Sequence, residues 1–167
     1  RPLQLSEATA WITEAALRWP TQLRLQVAQR LAISPARAGR LLHRLVGLQW
    51  LQRGGTLRRP VYAPGAMRQV VRRYPLAGLH EDTPWLQDFL PYFVLPDAVA
   101  QLAQHAFTEL LNNAIEHSGG TRVTVSMRQT PQQLQLLVSD DGRGIFDAIG
   151  ETYQITDPAQ AMLELAK

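Results

Sequence analysis

Cysteine is absent from the 167 residues. That excludes a disulfide framework and a thiolate metal site, and it fits a cytoplasmic address. No apolar run approaches the roughly 20 residues needed to span a bilayer. The N-terminus also lacks the charged, apolar and small-residue order of a secretory signal, so no membrane partner is expected. Acids are scarce in the first part of the chain. Residues 1–74 hold 13 Arg, no Lys and only Glu7 and Glu14, a net +11, whereas residues 75–167 set 12 acids against Arg122, Arg128, Arg143 and Lys167, a net −8. What is present is ample apolar material: 46% of residues are hydrophobic, enough for a real core. The length suits one ordinary domain or two small ones. The charge split favours two modules with different partners, and a strongly basic module favours a polyanion, most often nucleic acid. The plainer alternative is a solvated basic surface. Opening on Arg1 and not on Met, the chain reads as a piece of a longer protein.

The first 70 residues read as helices followed by a hairpin. Ser6 is placed to cap a helix whose apolar side is Ala8, Ile12, Ala15, Ala16 and Trp19, and Pro20 ends it. A second helix fits residues 21–31. Ile33-Ser34-Pro35 reads as a turn, a Ser cap and a Pro at the first helical position. The third helix runs to about Leu48 and should bury Ala38, Leu41, Leu42, Leu45 and Leu48. Residues 50–53, Gly54-Gly55 and 61–63 form a short hairpin, with Pro60 restricting the second strand to an edge. This order resembles a winged helix-turn-helix over about residues 5–65. The resemblance implies that the third helix enters the major groove and that the hairpin touches backbone or minor groove. Arg37, Arg40 and Arg44 then form the exposed reading face, and Arg53, Arg58 and Arg59 decorate the wing. The planar guanidinium suits guanine or phosphate. The competing reading is a winged helix that docks a protein partner.

Residues 71–96 read as a connector punctuated by Pro and Gly, with a short helix over 85–92 started by Thr83-Pro84. His80-Glu81-Asp82-Thr83-Pro84 resembles a histidine-kinase phosphoacceptor box on the surface. It is one residue short and lies outside any long helix, so an ordinary surface histidine is expected.

From residue 97 the pattern sharpens. Asp97 is placed to cap a helix through residue 118 that Gly119-Gly120 stops. Its buried stripe reads Val99, Leu102, Ala106, Leu110 and Ala114, with Ile115 at the margin. Glu109 and Asn113, four apart, project from one face. The Asn113 amide oxygen suits Mg²⁺, a hard cation that prefers oxygen ligands. Glu109 beside it suits the orientation or activation of water or of a substrate hydroxyl. Two strands follow, 121–128 and 133–139, joined by a Thr130-Pro131-Gln132 turn. Then comes Asp140-Asp141-Gly142-Arg143-Gly144-Ile145. A carboxylate at a strand end can accept from an adenine amino group, and glycines let backbone pass close to a base. A last helix is expected over about 158–166.

The run Glu-Leu-Leu-Asn-Asn-Ala, a hairpin, then Asp-Asp-Gly-Arg-Gly-Ile resembles the N box and first glycine box of the GHKL ATPases over residues 97–150. The resemblance implies an α+β chain: a winged helix-turn-helix over 1–70, a connector over 71–96, and over 97–167 part of a GHKL (Bergerat) α/β sandwich. By position it makes Glu109 the catalytic carboxylate and Asn113 the Mg²⁺ ligand. Asp140 becomes the adenine-reading residue, with Gly142 and Gly144 beside the base. Asn112, Glu116, His117 and His105 lie near this set, and Arg143 could pair with an acid there. The family's lid and second glycine-rich motif do not appear before Lys167, so this chain alone is expected to turn over little ATP.

The first functional expectation is a nucleotide-sensing transcriptional regulator that binds duplex DNA and ATP-Mg²⁺. The second is a GHKL protein kinase, of the anti-sigma-factor serine-kinase or histidine-kinase sort, whose N-terminal module docks a protein partner. An ATP-gated clamp is less fitting, because no transducer domain is present. A homodimer is left open.

Overall fold

In the computed structural model the described residues are 2–141, 148–154 and 164–166, with side chains from Gln4 to Asp141. The chain divides into two compact units, residues 1–69 and 70–167.

The first unit comprises α1 (Pro2–Thr9), α2 (Ile12–Arg18), α3 (Leu23–Leu31), α4 (Pro35–Gly47) and a hairpin of β1 (Leu51–Gly55) with β2 (Pro60–Pro64). The expected first helix is broken at residues 10–11. Ser6 lies inside α1 and does not cap it, and its carbonyl instead accepts from the Thr9 hydroxyl at 3.0 Å. Ser34 does cap α4: its hydroxyl accepts from the Arg37 amide at 3.2 Å, and Pro35 fills the first turn where no N–H partner is needed. Ala8, Ile12, Leu23, Val27, Ala38, Leu42 and Leu45 make the core. Leu41 is only partly buried, and Leu48 is exposed because the helix has already ended at Gly47. Gly54 and Gly55 lie in β1 and not in the turn, which falls at 56–59. Gly55 has φ +75°, and a Cβ there would meet the Arg59 carbonyl oxygen at 2.3 Å. Only glycine satisfies both conditions. The Tyr62 amide donates to the Pro20 carbonyl at 2.8 Å, which ties β2 to the turn before α3.

In the second unit a five-stranded sheet runs in the order β3-β4-β5-β6-β7. The strands are β3 (Arg68–Pro75), β4 (Arg122–Gln129), β5 (Gln133–Asp140), β6 (Ala148–Gln154) and β7 (Glu164–Ala166). β4 to β7 pair antiparallel. Two expectations fail here. Residues 68–75, assigned largely to a connector, form a sheet strand; their three arginines (Arg68, Arg72 and Arg73) mask a β-type segment whose Val70 is fully buried. Residues 164–166 are a strand, so the expected last helix does not extend through them.

Residues 82–92 coil in sequence as α5 (Asp82–Pro84), a π turn over Trp85–Phe89 and a 3₁₀ turn over Leu90–Tyr92. The helical start lies at Asp82, ahead of Thr83-Pro84. Trp85 and Phe89 pack on Phe107 with ring centroids 5.3 and 5.0 Å away. Phe107 belongs to α6 (Asp97–His117), which lies across β5 and β6. Pro96, not Asp97, is its N-cap, and Asp97 sits in the first turn, where a carboxylate still favours the helix dipole. Gly119, at φ +67°, takes the left-handed step that stops the helix. The buried face of α6 is Val99, Ala103, Ala106, Phe107, Leu110, Leu111 and Ala114. Leu102 is 42% exposed, because Ala103 and Phe107 turn the stripe away from it.

Candidate functional site

Glu109, Asn113 and Asp140, the residues expected to meet a nucleotide, lie on α6 and at the end of β5. Leu110, Leu111 and Ala114 point into the core, so Glu109 and Asn113 are left on the outer flank of the same two turns, and both are exposed. The Glu109 carboxylate is 3.2 Å from His105 Nε2, one turn earlier, with both side chains largely in solvent. His117 lies 3.6 Å from Glu116 in the same way. Asn112 is half-buried.

Asp140 is placed by register. It pairs with Val123, as Val138 pairs with Val125 and Leu136 with Met127. Strand residues two apart share a face. Asp140 therefore lies on the face of Leu134, Leu136 and Val138, which packs in one cluster with the buried face of α6. Its partner Val123 follows His117 by only six residues. Asp140 thus falls at the sheet end nearest the C-terminal turns of α6, the turns that carry Asn113. It is half-buried where the hydrophobic face runs out.

Asp141 turns to the other side and does different work. One of its oxygens accepts from the Thr121 amide at 2.7 Å and the Arg122 amide at 2.9 Å, and the other accepts from the Thr121 hydroxyl at 2.7 Å. These bonds to the charged form hold its carboxyl below the ordinary carboxylate range, with the Arg122 amide the largest influence. A depressed folded-state value means that the clasp is present above the unfolded value and is lost as pH falls through the folded one. Sequence reasoning missed this residue. A second acid beside the first looks redundant until the strand register separates their faces.

The oxygen donors suit the expected ligands. Among the described residues no group of three or more His, Asp or Glu side chains could hold a metal ion. A Mg²⁺ held through Asn113 would take most of its oxygens from phosphate and water, as that ion usually does. Gly142 and Gly144 lie outside the described residues, as does Arg143.

The arginines of the first unit separate into two sets. A groove of about 930 Å³ runs between the start of α3, α4 and the hairpin. Arg40, Arg53 and Arg58 line it. Arg37, Arg44 and Arg59 do not, and the Arg37 guanidinium donates instead to the Gln4 side chain at 3.2 Å. Arg24 and His43, which the sequence reading passed over, join the lining set. Arg24 packs beside Gly39 of α4, at ordinary van der Waals distance from where a Cβ would stand. Leu57, at the hairpin tip, also lines the groove and is 88% exposed.

Residues 98–160 match the family model described as histidine kinase-, DNA gyrase B-, and HSP90-like ATPase. This stretch begins in the first turn of α6 and includes Glu109, Asn113 and Asp140. The second unit thus carries a GHKL-type ATPase-domain match, and that family implies ATP binding, typically with Mg²⁺. No curated protein and no solved structure matched the chain. Among the described residues no helix is long and apolar enough to cross a membrane.

Proposed function

We propose that the protein is an ATP-binding regulator whose first unit, a winged helix-turn-helix, binds duplex DNA and whose second unit binds ATP-Mg²⁺. The observation that carries the nucleotide half is the placement of Asp140 on the α6 side of the sheet, within a stretch that matches the ATPase family. In this reading the Asp140 carboxylate accepts from the adenine amino group, and the Asn113 amide oxygen faces the metal. Bound Mg²⁺ supplies charge neutralisation at the phosphates. Glu109, one turn from Asn113, holds water or a hydroxyl for attack, with His105 beside it to orient the carboxylate.

For the DNA half, the support is the clustering of Arg24, Arg40, His43, Arg53 and Arg58 about one groove. Such a groove neutralises phosphates on either side of an inserted α4. Phosphoryl transfer to a protein is the second reading, compatible with the histidine kinases that the family description names beside gyrase B and HSP90. Glu109 would then accept the proton of the receiving hydroxyl.

Two titrations of the full chain test the proposal. Calorimetry with MgATP should show binding, and its absence would remove the nucleotide half. Fluorescence anisotropy with pooled random duplexes should show binding that fades with salt, and no binding at low salt would remove the DNA half. Where ATP turnover is measurable, Glu109→Ala should abolish it while leaving most nucleotide binding, and Asn113→Ala should weaken the Mg²⁺-dependent part of binding.

A further inference from the structure

The first residues after α6 form a node at which three strand ends are tied. The Thr121 amide and hydroxyl and the Arg122 amide all donate to the Asp141 carboxylate, at 2.7, 2.7 and 2.9 Å. In return the Asp141 amide donates to the Arg122 carbonyl at 3.2 Å, which extends the β4–β5 ladder one step beyond Asp140. The Thr121 carbonyl accepts from the Leu76 amide at 2.9 Å, just past the end of β3. On the helix side, Gly119 at φ +67° and the bond from the Gly120 amide to the Ser118 hydroxyl at 3.0 Å fix the path from α6 into the node.

This geometry concerns the neighbouring residue. Asp140 is the last residue of β5, and strand ends fray unless something holds them. Asp141 supplies that hold, and it grips the segment that leaves the helix carrying Asn113 and Glu109. A carboxylate with three donors converging on two oxygens has little freedom to rotate. The backbone at Asp140 inherits that constraint, because the two residues share a peptide unit. Asp141 is itself exposed, so burial gives no other account of its three bonds.

We infer that Asp141 is a positioning residue for adenine recognition: it holds the strand end so that the Asp140 carboxylate meets the base at a fixed distance from the Asn113 face of α6. The inference rests on the nucleotide reading above and assigns a role that the adenine contact alone does not require. Asp141 acts through Asp140 and touches no ligand.

The test compares Asp141→Ala, Asp141→Asn and Thr121→Val in the full chain. MgATP, adenosine and inorganic tripolyphosphate are each titrated by calorimetry, and melting is followed alongside. Asp141→Ala should weaken adenosine and MgATP by the same factor, about tenfold, and leave tripolyphosphate unchanged. Asp141→Asn keeps an oxygen for the two amides and should recover most of the loss. Thr121→Val removes one of the three bonds and should weaken the adenine ligands about threefold; it serves as the test if the Ala variant does not fold. A variant that melts lower but binds adenosine as the parent does would overturn the inference, as would equal losses for tripolyphosphate. Failure of the parent chain itself to bind MgATP or adenosine would remove the nucleotide reading and this inference together. Normal parent binding with unaffected variants would remove the inference alone.

Discussion

The two units use their charged residues in opposite ways. In the first, Arg24, Arg40, Arg53 and Arg58 come from a helix start, a second helix, a hairpin strand and the hairpin turn to line one open groove. No one of them is indispensable to a field that several positive charges share. In the second, the roles proposed for Glu109, Asn113 and Asp140 are distinct, and each residue is placed by one helical turn or one strand register. A charge-based surface spreads its free energy over many contacts and gives it up to salt. A geometry-based site concentrates it in a few hydrogen bonds and yields to single substitutions. The proposed functions inherit that contrast, and it supplies the ways to break them.

Salt should produce the largest effect, and in one unit only. If Arg24, Arg40, Arg53 and Arg58 each neutralise one phosphate, the logarithmic slope is about −3.6, and affinity for duplex DNA falls roughly a hundredfold between 50 and 200 mM salt. Anisotropy titrations of the full chain measure this directly. MgATP affinity over the same range, read by calorimetry, should change far less. Equal salt dependence for both ligands would erase the proposed distinction.

Asp140→Asn makes the complementary cut. Losing a hydrogen bond to a charged group costs about 1.5–3 kcal/mol, so MgATP affinity should fall by about one to two orders of magnitude. Duplex binding should hold. Calorimetry giving the parent's MgATP affinity would remove Asp140 from the adenine contact.

The legible and the illegible parts of this molecule divide on physical lines. Helical spacing was readable for Glu109 and Asn113, because i and i+4 share a face whatever the tertiary context. The Ser34-Pro35 start of α4 was readable for the same local reason, and the structure places a cap bond there. Strand β3 was not readable: Arg68, Arg72 and Arg73 hide a segment whose Val70 alone is fully buried, and only pairing with β4 makes it a strand. The break between α1 and α2 was missed because the apolar spacing runs across it unbroken. The arginine face read from the sequence and the groove differ by roughly a quarter turn of α4. Helical spacing selected Arg37, Arg40 and Arg44, whereas the groove takes Ala36, Gly39, Arg40, His43 and Val46. Helical spacing says which residues share an outer face, and the hairpin's position says which of them line the groove.

That quarter turn can be tested. Arg40→Ala should cost about 1–3 kcal/mol of duplex affinity if Arg40 reads a base, and should relax specificity at one position. Arg37→Ala should cost less, because Arg37 lies outside the groove and already pairs with Gln4. Binding-site selection from a random pool, run in parallel on the two variants, compares them. A larger loss for Arg37→Ala would restore the face read from helical spacing alone and displace the groove.

The smallest effect tests whether the two units are energetically separate. Ser34 accepts from the Arg37 amide at the start of α4, and Ala leaves that amide to water. Caps of this kind contribute about 1 kcal/mol. The first unit has 69 residues. For a domain of that size such a loss lowers the melting temperature by about 4–8 °C. Three of the four tryptophans, Trp11, Trp19 and Trp50, lie in this unit, so tryptophan fluorescence follows mainly its unfolding. Because the Ser34 side chain is exposed, the variant should fold and the rest of α4 should keep its packing. If the units are independent, Ser34→Ala lowers the fluorescence-monitored transition and leaves MgATP affinity at the parent's value. A matching loss of MgATP affinity at temperatures where the first unit is still folded would couple the two, and nucleotide and DNA would then have to be treated as linked ligands of one cooperative protein.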